Sequence, residues 1–267
     1  MRTDLRSYKM IIAIITGASS GIGEAFVRKV AEDKSIDKIW IIARREARLQ
    51  ALKDELDPQR IVPIALDLND QAGRETLRAR LEEEKPDVNL LVNCAGMGKR
   101  GLVIDKDIKD LEDTLDINCK SLTSVTCICV PYMMKIHSNI INIASSAAFL
   151  PQPGFAVYAA SKSYVLNFSR ALAYELQEHH IGVTTVCPGP VKTEFLSKAT
   201  DNKENDFTGI RKFFVADADK LAAASLKAAN SGRKLFVYGL SQKALHLASK
   251  IVPTALIMFF EKKALKQ

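Results

Sequence analysis

The sequence predicts an α/β fold, a doubly wound parallel sheet of seven strands with helices on both faces. Three observations predict it. Short β-branched apolar runs alternate with longer helical patterns along the chain. The runs are continuously apolar, as strands covered on both faces require. A glycine-rich turn lies between the first run and the first helical pattern, where such sheets hold their ligands.

The expected strands are M-I-I-A-I-I (10–15), K-I-W-I-I-A (38–43), I-V-P-I-A-L (61–66), V-N-L-L-V-N (88–93), N-I-I-N-I-A (139–144), G-V-T-T-V-C (182–187) and K-L-F-V-Y (234–238). Helical patterns lie near 21–33, 45–56, 70–84, 107–135, 155–179 and 217–230. Strand–helix alternation implies right-handed crossovers and a Rossmann-type sheet. Residues 1–240 are read as one domain, and residues 241–267 as a C-terminal helical extension packed on it or on a partner subunit. The cationic start before Met10 mimics a leader, but the apolar run is short and belongs to the first strand. No stretch approaches the roughly 20 apolar residues of a membrane span.

At 47% hydrophobic and 26% charged, the 267 residues have the composition of a soluble globular protein. The net charge of +7 is spread along the chain and interleaved with acids, without a basic run carrying aromatics, so nucleic-acid binding is not expected. Five cysteines without paired spacing point to neither a disulfide framework nor a metal site, and reduced thiols fit a cytoplasmic location. Cys127 and Cys129 read as small apolar residues of a buried helix. The four histidines have no ligand spacing.

The turn reads T-G-A-S-S-G-I-G (16–23), with glycines at Gly17, Gly21 and Gly23. Residues without a β-carbon let a ligand approach the backbone, and the helix that follows points free N–H groups at it. A pyrophosphate suits that place. The second strand ends without a carboxylate and is followed by Arg44 and Arg45. Two guanidiniums there fit a ribose 2′-phosphate, so NADP(H) is favoured over NAD(H).

Residues 158–162 read Y-A-A-S-K, which places Tyr158 and Lys162 on one helix face. An ammonium beside a phenol is expected to lower the phenol pKa from its usual value of about 10. Tyr158 then becomes a general acid/base.

T-G-A-S-S-G-I-G, N-C-A-G at 93–96, Asn118, Ser145, Y-A-A-S-K and P-G-P-V-K-T at 188–193 occur in one order. The chain thereby resembles the short-chain dehydrogenase/reductase family to about residue 240. The resemblance implies cofactor contacts from Gly17, Ser19, Ser20, Gly21, Ile22 and Gly23, from Arg44 and Arg45, and from Asp67 and Leu68 beside the adenine. It implies further contacts from Asn93, Ala95 and Gly96, and from Pro188, Gly189, Val191 and Thr193 beside the nicotinamide. Cys94 stands where the family pattern has a second asparagine. The implied catalytic set is Asn118, Ser145, Tyr158 and Lys162. Tyr158 exchanges the proton, Lys162 tunes it and holds the nicotinamide ribose, Ser145 binds the reacting oxygen, and Asn118 kinks its helix and holds a water.

In this family the segment after the sixth strand, here 194–215, closes over the substrate. Phe195, Leu196, Phe207, Phe213 and Phe214 would wall an apolar pocket opposite Met97–Leu102, Leu150, Pro151 and Phe155. The expected substrate is a hydrophobic carbonyl or alcohol, such as a hydroxysteroid or 3-oxoacyl compound. For the tail, a helix, a break at Pro253 and a second apolar helix are expected, with docking ranked first and membrane contact last. A homodimer or homotetramer is expected from the family. The second function class is a dinucleotide-binding sensor without turnover.

Overall fold

The computed structural model describes residues 9–199 and 215–258, with the side chains of residues 196 and 198 left aside. The expected Phe207, Phe213 and Phe214, and the side chain of Leu196, lie outside the described residues.

Seven parallel strands form one sheet in the order β3-β2-β1-β4-β5-β6-β7. They are β1 (Ile11–Thr16), β2 (Lys38–Ala43), β3 (Ile61–Ala65), β4 (Asp87–Asn93), β5 (Ser138–Ile143), β6 (Ile181–Pro188) and β7 (Leu235–Tyr238). The order reverses between β1 and β4, and this switch point opens a crevice at the strands' C-terminal ends.

Successive side chains of a strand point to opposite faces, so both faces of β1 must be covered. Ala13 and Ile15 enter one core layer, and Ile12 and Ile14 enter the other. On the first layer lie α1 (Gly21–Ala31), α2 (Glu46–Leu56) and α8 (Ala218–Asn230), which contribute Phe26, Leu49 and Leu221. On the second lie α3 (Gln71–Glu84), α5 (Leu122–Cys129) and α6 (Ala156–Glu175), which contribute Leu77, Val125 and Leu172. Phe26 is fully buried in the first layer. Phe26→Ala is expected to cost about 3–5 kcal/mol, read from the denaturation midpoint.

The single helix expected over 107–135 is broken. α4 (Ile108–Leu115) passes into a π-helical turn, Asp116–Ser121, before α5 begins. Pro131 then ends the run in a tight 3₁₀ turn, Val130–Tyr132. Cys129 is buried, as expected of a core position, but Cys127 is exposed.

The polar segment after β6 begins as a short helix, α7 (Glu194–Ala199), which sequence patterning did not predict. The tail forms α9 (Leu240–Ile251), and a further turn starts at Pro253, whose carbonyl accepts from Leu256 and Ile257. α9 packs against the 3₁₀ turn Ser146–Phe149, with the His246 and Phe149 rings 4.3 Å apart. No described helix is long and apolar enough to cross a membrane.

Candidate active site

A cleft of about 1070 Å³ lies at the C-terminal ends of the strands, over the switch point. The turn after β1 forms its floor. Gly17 sits at φ +67°, and a β-carbon there would lie 2.8 Å from the Ala95 backbone of the β4 loop. A β-carbon on Gly23 would lie 2.2 Å from the Gly17 carbonyl oxygen. Any side chain at either place would displace the backbone, so the turn is held against the sheet. Thr16 fastens the same spot, its hydroxyl accepting from the Cys94 and Ala95 N–H groups at 3.0 and 3.1 Å. α1 starts at this turn after Ser20, with no side-chain cap on its first N–H groups, and Gly21, Ile22 and Gly23 line the cleft. The donors, the positive helix end and the missing β-carbons fit a dinucleotide phosphate.

The two arginines after β2 differ. Arg44 is 71% exposed at the cleft and approaches Asp67 at 3.6 Å. Arg45 turns inward, donating to the Ser19 and Ser20 hydroxyls at 2.9 and 2.7 Å and to the Glu194 carboxylate at 2.8 Å. Arg48 donates to the same carboxylate. Leu68 is buried beside Asp67, and its carbonyl accepts from Arg74 and Ser121, both at 2.6 Å.

At the other end Ser145, Tyr158 and Lys162 line the cleft together, as do Ala95, Gly96, Pro188, Gly189, Val191 and Thr193. Ser145 follows the end of β5, and its hydroxyl accepts from the Ala147 N–H at 3.1 Å. Tyr158 stacks on Phe155 with centroids 4.2 Å apart and meets Phe195 at 5.4 Å. The Lys162 ammonium lies 5.7 Å from the Tyr158 ring centroid and donates to the Ile143 carbonyl at 2.9 Å.

The expected lowering of the phenol pKa is reversed. Burial pushes Tyr158 up to about 12, with the Ser145 hydroxyl pulling the other way. Burial also pulls the Lys162 ammonium down to about 8. The phenol is packed between aromatic rings and the ammonium is buried beneath it, so desolvation wins at both groups. At neutral pH Tyr158 keeps its proton and Lys162 keeps its charge.

The Lys162 shift carries a sign for stability. Between pH 8 and the ordinary lysine value of 10.5 the unfolded chain binds more protons at this position than the folded one. Stability therefore rises with pH across that window. The stability of wild type relative to Lys162→Met is expected to be flat below pH 8 and to climb by on the order of 3 kcal/mol towards pH 10.5. Urea titrations of both proteins at stepped pH read the difference.

Two of the expected site residues stand behind the cleft rather than in its wall. Asn93 is buried, and its amide donates to Thr126 and Asn142, both at 2.9 Å, linking β4 to α5 and β5. Asn118 is fully buried in the π-helical turn; its amide accepts from the Met97 N–H at 3.0 Å and donates to the Met97 carbonyl at 2.8 Å and to Ser161 at 2.9 Å. It thereby holds the loop after β4 next to Lys162. π-helical turns commonly accompany functional sites. Four contributors had no role of their own in the sequence reading: Thr16, Glu194 and Arg100, which entered it only within the segments 16–23, 194–215 and Met97–Leu102, and Gln242 of α9, the last three lining the cleft. Gln242 packs on Gly189, where a β-carbon would lie 2.6 Å from its amide nitrogen. Nothing in local spacing signals any of the four.

Residues 11–204 match the short chain dehydrogenase family. The chain belongs to that family. It is accordingly an oxidoreductase that uses a nicotinamide dinucleotide at CH–OH groups. Among curated relatives, an NADP-dependent 3-hydroxy acid dehydrogenase of Salmonella typhi is 36% identical over 199 residues, 72% of this chain and 79% of the relative. Sulfoacetaldehyde reductase 2 of Chromohalobacter salexigens is 36% identical over 191 residues, 69% and 74% of the two chains. Among solved structures, the closed form of a serine dehydrogenase complexed with NADP⁺ superposes with a TM-score of 0.76 at 30% identity, over 85% of this short-chain dehydrogenase and 94% of that chain. A short-chain dehydrogenase from Sphingobium yanoikuyae in complex with NADPH also gives 0.76, at 27% identity, over 90% and 93%.

Proposed function

We propose that this short-chain dehydrogenase uses NADP(H) to interconvert a ketone or aldehyde with its alcohol, through Ser145, Tyr158 and Lys162. The observation that carries the reading is the joint lining of one cleft. The glycine turn, the α1 N-terminus and Arg44 lie at one end, and these three side chains lie at the other. NADP in the name of one relative and NADP⁺ or NADPH in the complexes of both solved structures support the cofactor, and the exposed Arg44 guanidinium supports its 2′-phosphate.

Bound NADPH supplies the hydride. Tyr158 donates its proton to the carbonyl oxygen in reduction and accepts it in oxidation. Ser145 hydrogen-bonds that oxygen and holds the carbonyl in register with the phenol. Lys162 stabilises the phenolate left after proton transfer, because a cation near a buried anion acts in a low dielectric. Asn118 fixes the Met97 loop beside Lys162. Asp67, Leu68 and Thr193 line the cleft, where the first two would hold the adenine and Thr193 the carboxamide of the nicotinamide.

The proposed substrate is a 3-hydroxy or 3-oxoacyl compound. Support comes from the hydroxy-acid substrate in one relative's name and from the apolar wall of Met97, Phe155 and Phe195. A hydroxysteroid has only the apolar wall in its favour. The exposed Ile108, Leu115 and Tyr164 of α4 and α6 are the proposed self-association surface. α9 is proposed to act as a wall of the substrate cleft, with residues 1–240 as the domain it docks on.

Absorbance of the reduced nicotinamide tests the function. NADPH with a panel of 3-oxo acids, 3-oxoacyl thioesters and keto-steroids is expected to be consumed faster than NADH. Tight NADPH binding without consumption across the panel contradicts turnover and favours a dinucleotide-binding sensor.

A further inference from the structure

We propose that Arg100 is the anion-recognition residue at the substrate end of the cleft. The substrate is then an oxo or hydroxy compound that carries a carboxylate, sulfonate or phosphate. This deepens, and rests on, the carbonyl/alcohol reading above.

The charges lining the cleft are unevenly placed. Among the described residues its two carboxylates, Asp67 and Glu194, both sit on arginines at the glycine-turn side: Asp67 with Arg44 at 3.6 Å, and Glu194 with Arg45 at 2.8 Å and with Arg48. The wall around Tyr158, from Met97 to Arg100 and from Gln152 to Phe155, contributes Lys99 and Arg100 and no carboxylate. Lys99 is drawn to Asp110 at 3.8 Å. Arg100 has no carboxylate partner among the described residues. An open cation facing a cleft focuses a positive potential there.

The position of Arg100 is built, not incidental. Its N–H donates to the Ala199 carbonyl at 2.8 Å, and the next N–H, of Gly101, donates to the Gly154 carbonyl at 2.8 Å. The backbone is thus pinned between α7 and the turn that leads into α6. The guanidinium lies over the Phe155 ring at 5.8 Å, and Phe155 is stacked on Tyr158 at 4.2 Å. A guanidinium over an aromatic face keeps its in-plane N–H fork for another partner, and that fork matches a carboxylate, sulfonate or phosphate. The guanidinium carbon is no further from the phenol ring centroid than 5.8 and 4.2 Å laid end to end. An acid group joined to the reacting carbon by a few bonds spans that gap. One molecule can therefore engage Tyr158 through its oxygen and Arg100 through its charge.

The test uses matched pairs, 3-hydroxybutanoate and 3-hydroxyoctanoate with their methyl esters, oxidised with NADP⁺ by wild type, Arg100→Ala and Arg100→Lys. Wild type is expected to show a KM about tenfold lower for each acid than for its ester. Arg100→Ala is expected to erase that difference by raising the acid KM, with kcat, ester KM and NADPH affinity unchanged. Arg100→Lys recovers part of the loss, and added salt weakens the acids alone. Equal KM values for acid and ester in wild type, or equal losses for both in Arg100→Ala, overturn the proposal while leaving the carbonyl/alcohol reading intact. If neither pair turns over, calorimetric titration of the acids into the NADP⁺ complex still decides. Acid binding that vanishes in Arg100→Ala upholds the anion site and counts against the carbonyl/alcohol reading. Absence of acid-specific binding overturns the anion site.

Discussion

Tyr158→Phe is expected to lower kcat by about 10²–10⁴-fold while NADPH still binds with its wild-type affinity. The substitution removes one oxygen and keeps the ring that stacks on Phe155 and meets Phe195, at 4.2 and 5.4 Å. The fold and the aromatic wall therefore survive. What disappears is the proton that the buried phenol, pushed up to about 12, holds at neutral pH. Ser145 would remain to hydrogen-bond the carbonyl. Steady-state kinetics beside a fluorescence titration of NADPH separate the two effects. A parallel loss of NADPH affinity would mean that the change disturbed the cleft and not the proton transfer.

Arg44→Ala is expected to reduce the preference for NADPH over NADH by about 10- to 100-fold, through weaker NADPH binding with NADH nearly unchanged. Arg44 is open at the cleft and has only a 3.6 Å approach to Asp67 to give up. Arg45 is different, being committed to Ser19, Ser20 and Glu194. Its loss leaves the glycine turn and the start of α7 without a shared anchor, so Arg45→Ala is expected to weaken both cofactors. The ratio of the two dissociation constants, measured for each variant, distinguishes an arginine that reads the 2′-phosphate from one that holds the turn.

The strands were legible because each is a continuous β-branched run, and burial on both sheet faces demands such runs. The glycine turn was legible because steric need leaves a residue-type signature. A β-carbon at Gly17 or Gly23 meets backbone, and that excludes every other residue. The break in the helix over 107–135 was not legible in its local pattern, and only the family resemblance put a kink at Asn118. The π-helical turn contains neither proline nor glycine, and the buried partners of Asn118 lie in the Met97 loop and on α6. Tertiary bonds there override a pattern that reads as unbroken helix. The Y-A-A-S-K spacing did place Tyr158 and Lys162 on one face, but not the direction of their pKa values. That direction follows from the burial of both groups in the folded chain, which spacing does not encode. Arg45 and Glu194 meet across 149 residues, and Gln242 reaches Gly189 from the tail, so neither contact left a local trace.

Transfer of label from NADPH deuterated at the hydride position tests the central claim most directly. With a 3-oxo acid or ester, wild-type protein is expected to yield an alcohol that carries one deuterium on the carbinol carbon, and Tyr158→Phe to yield almost none in the same time. An alcohol formed without deuterium, or NADPH that binds and stays unconsumed with every carbonyl offered, would contradict hydride transfer in this cleft.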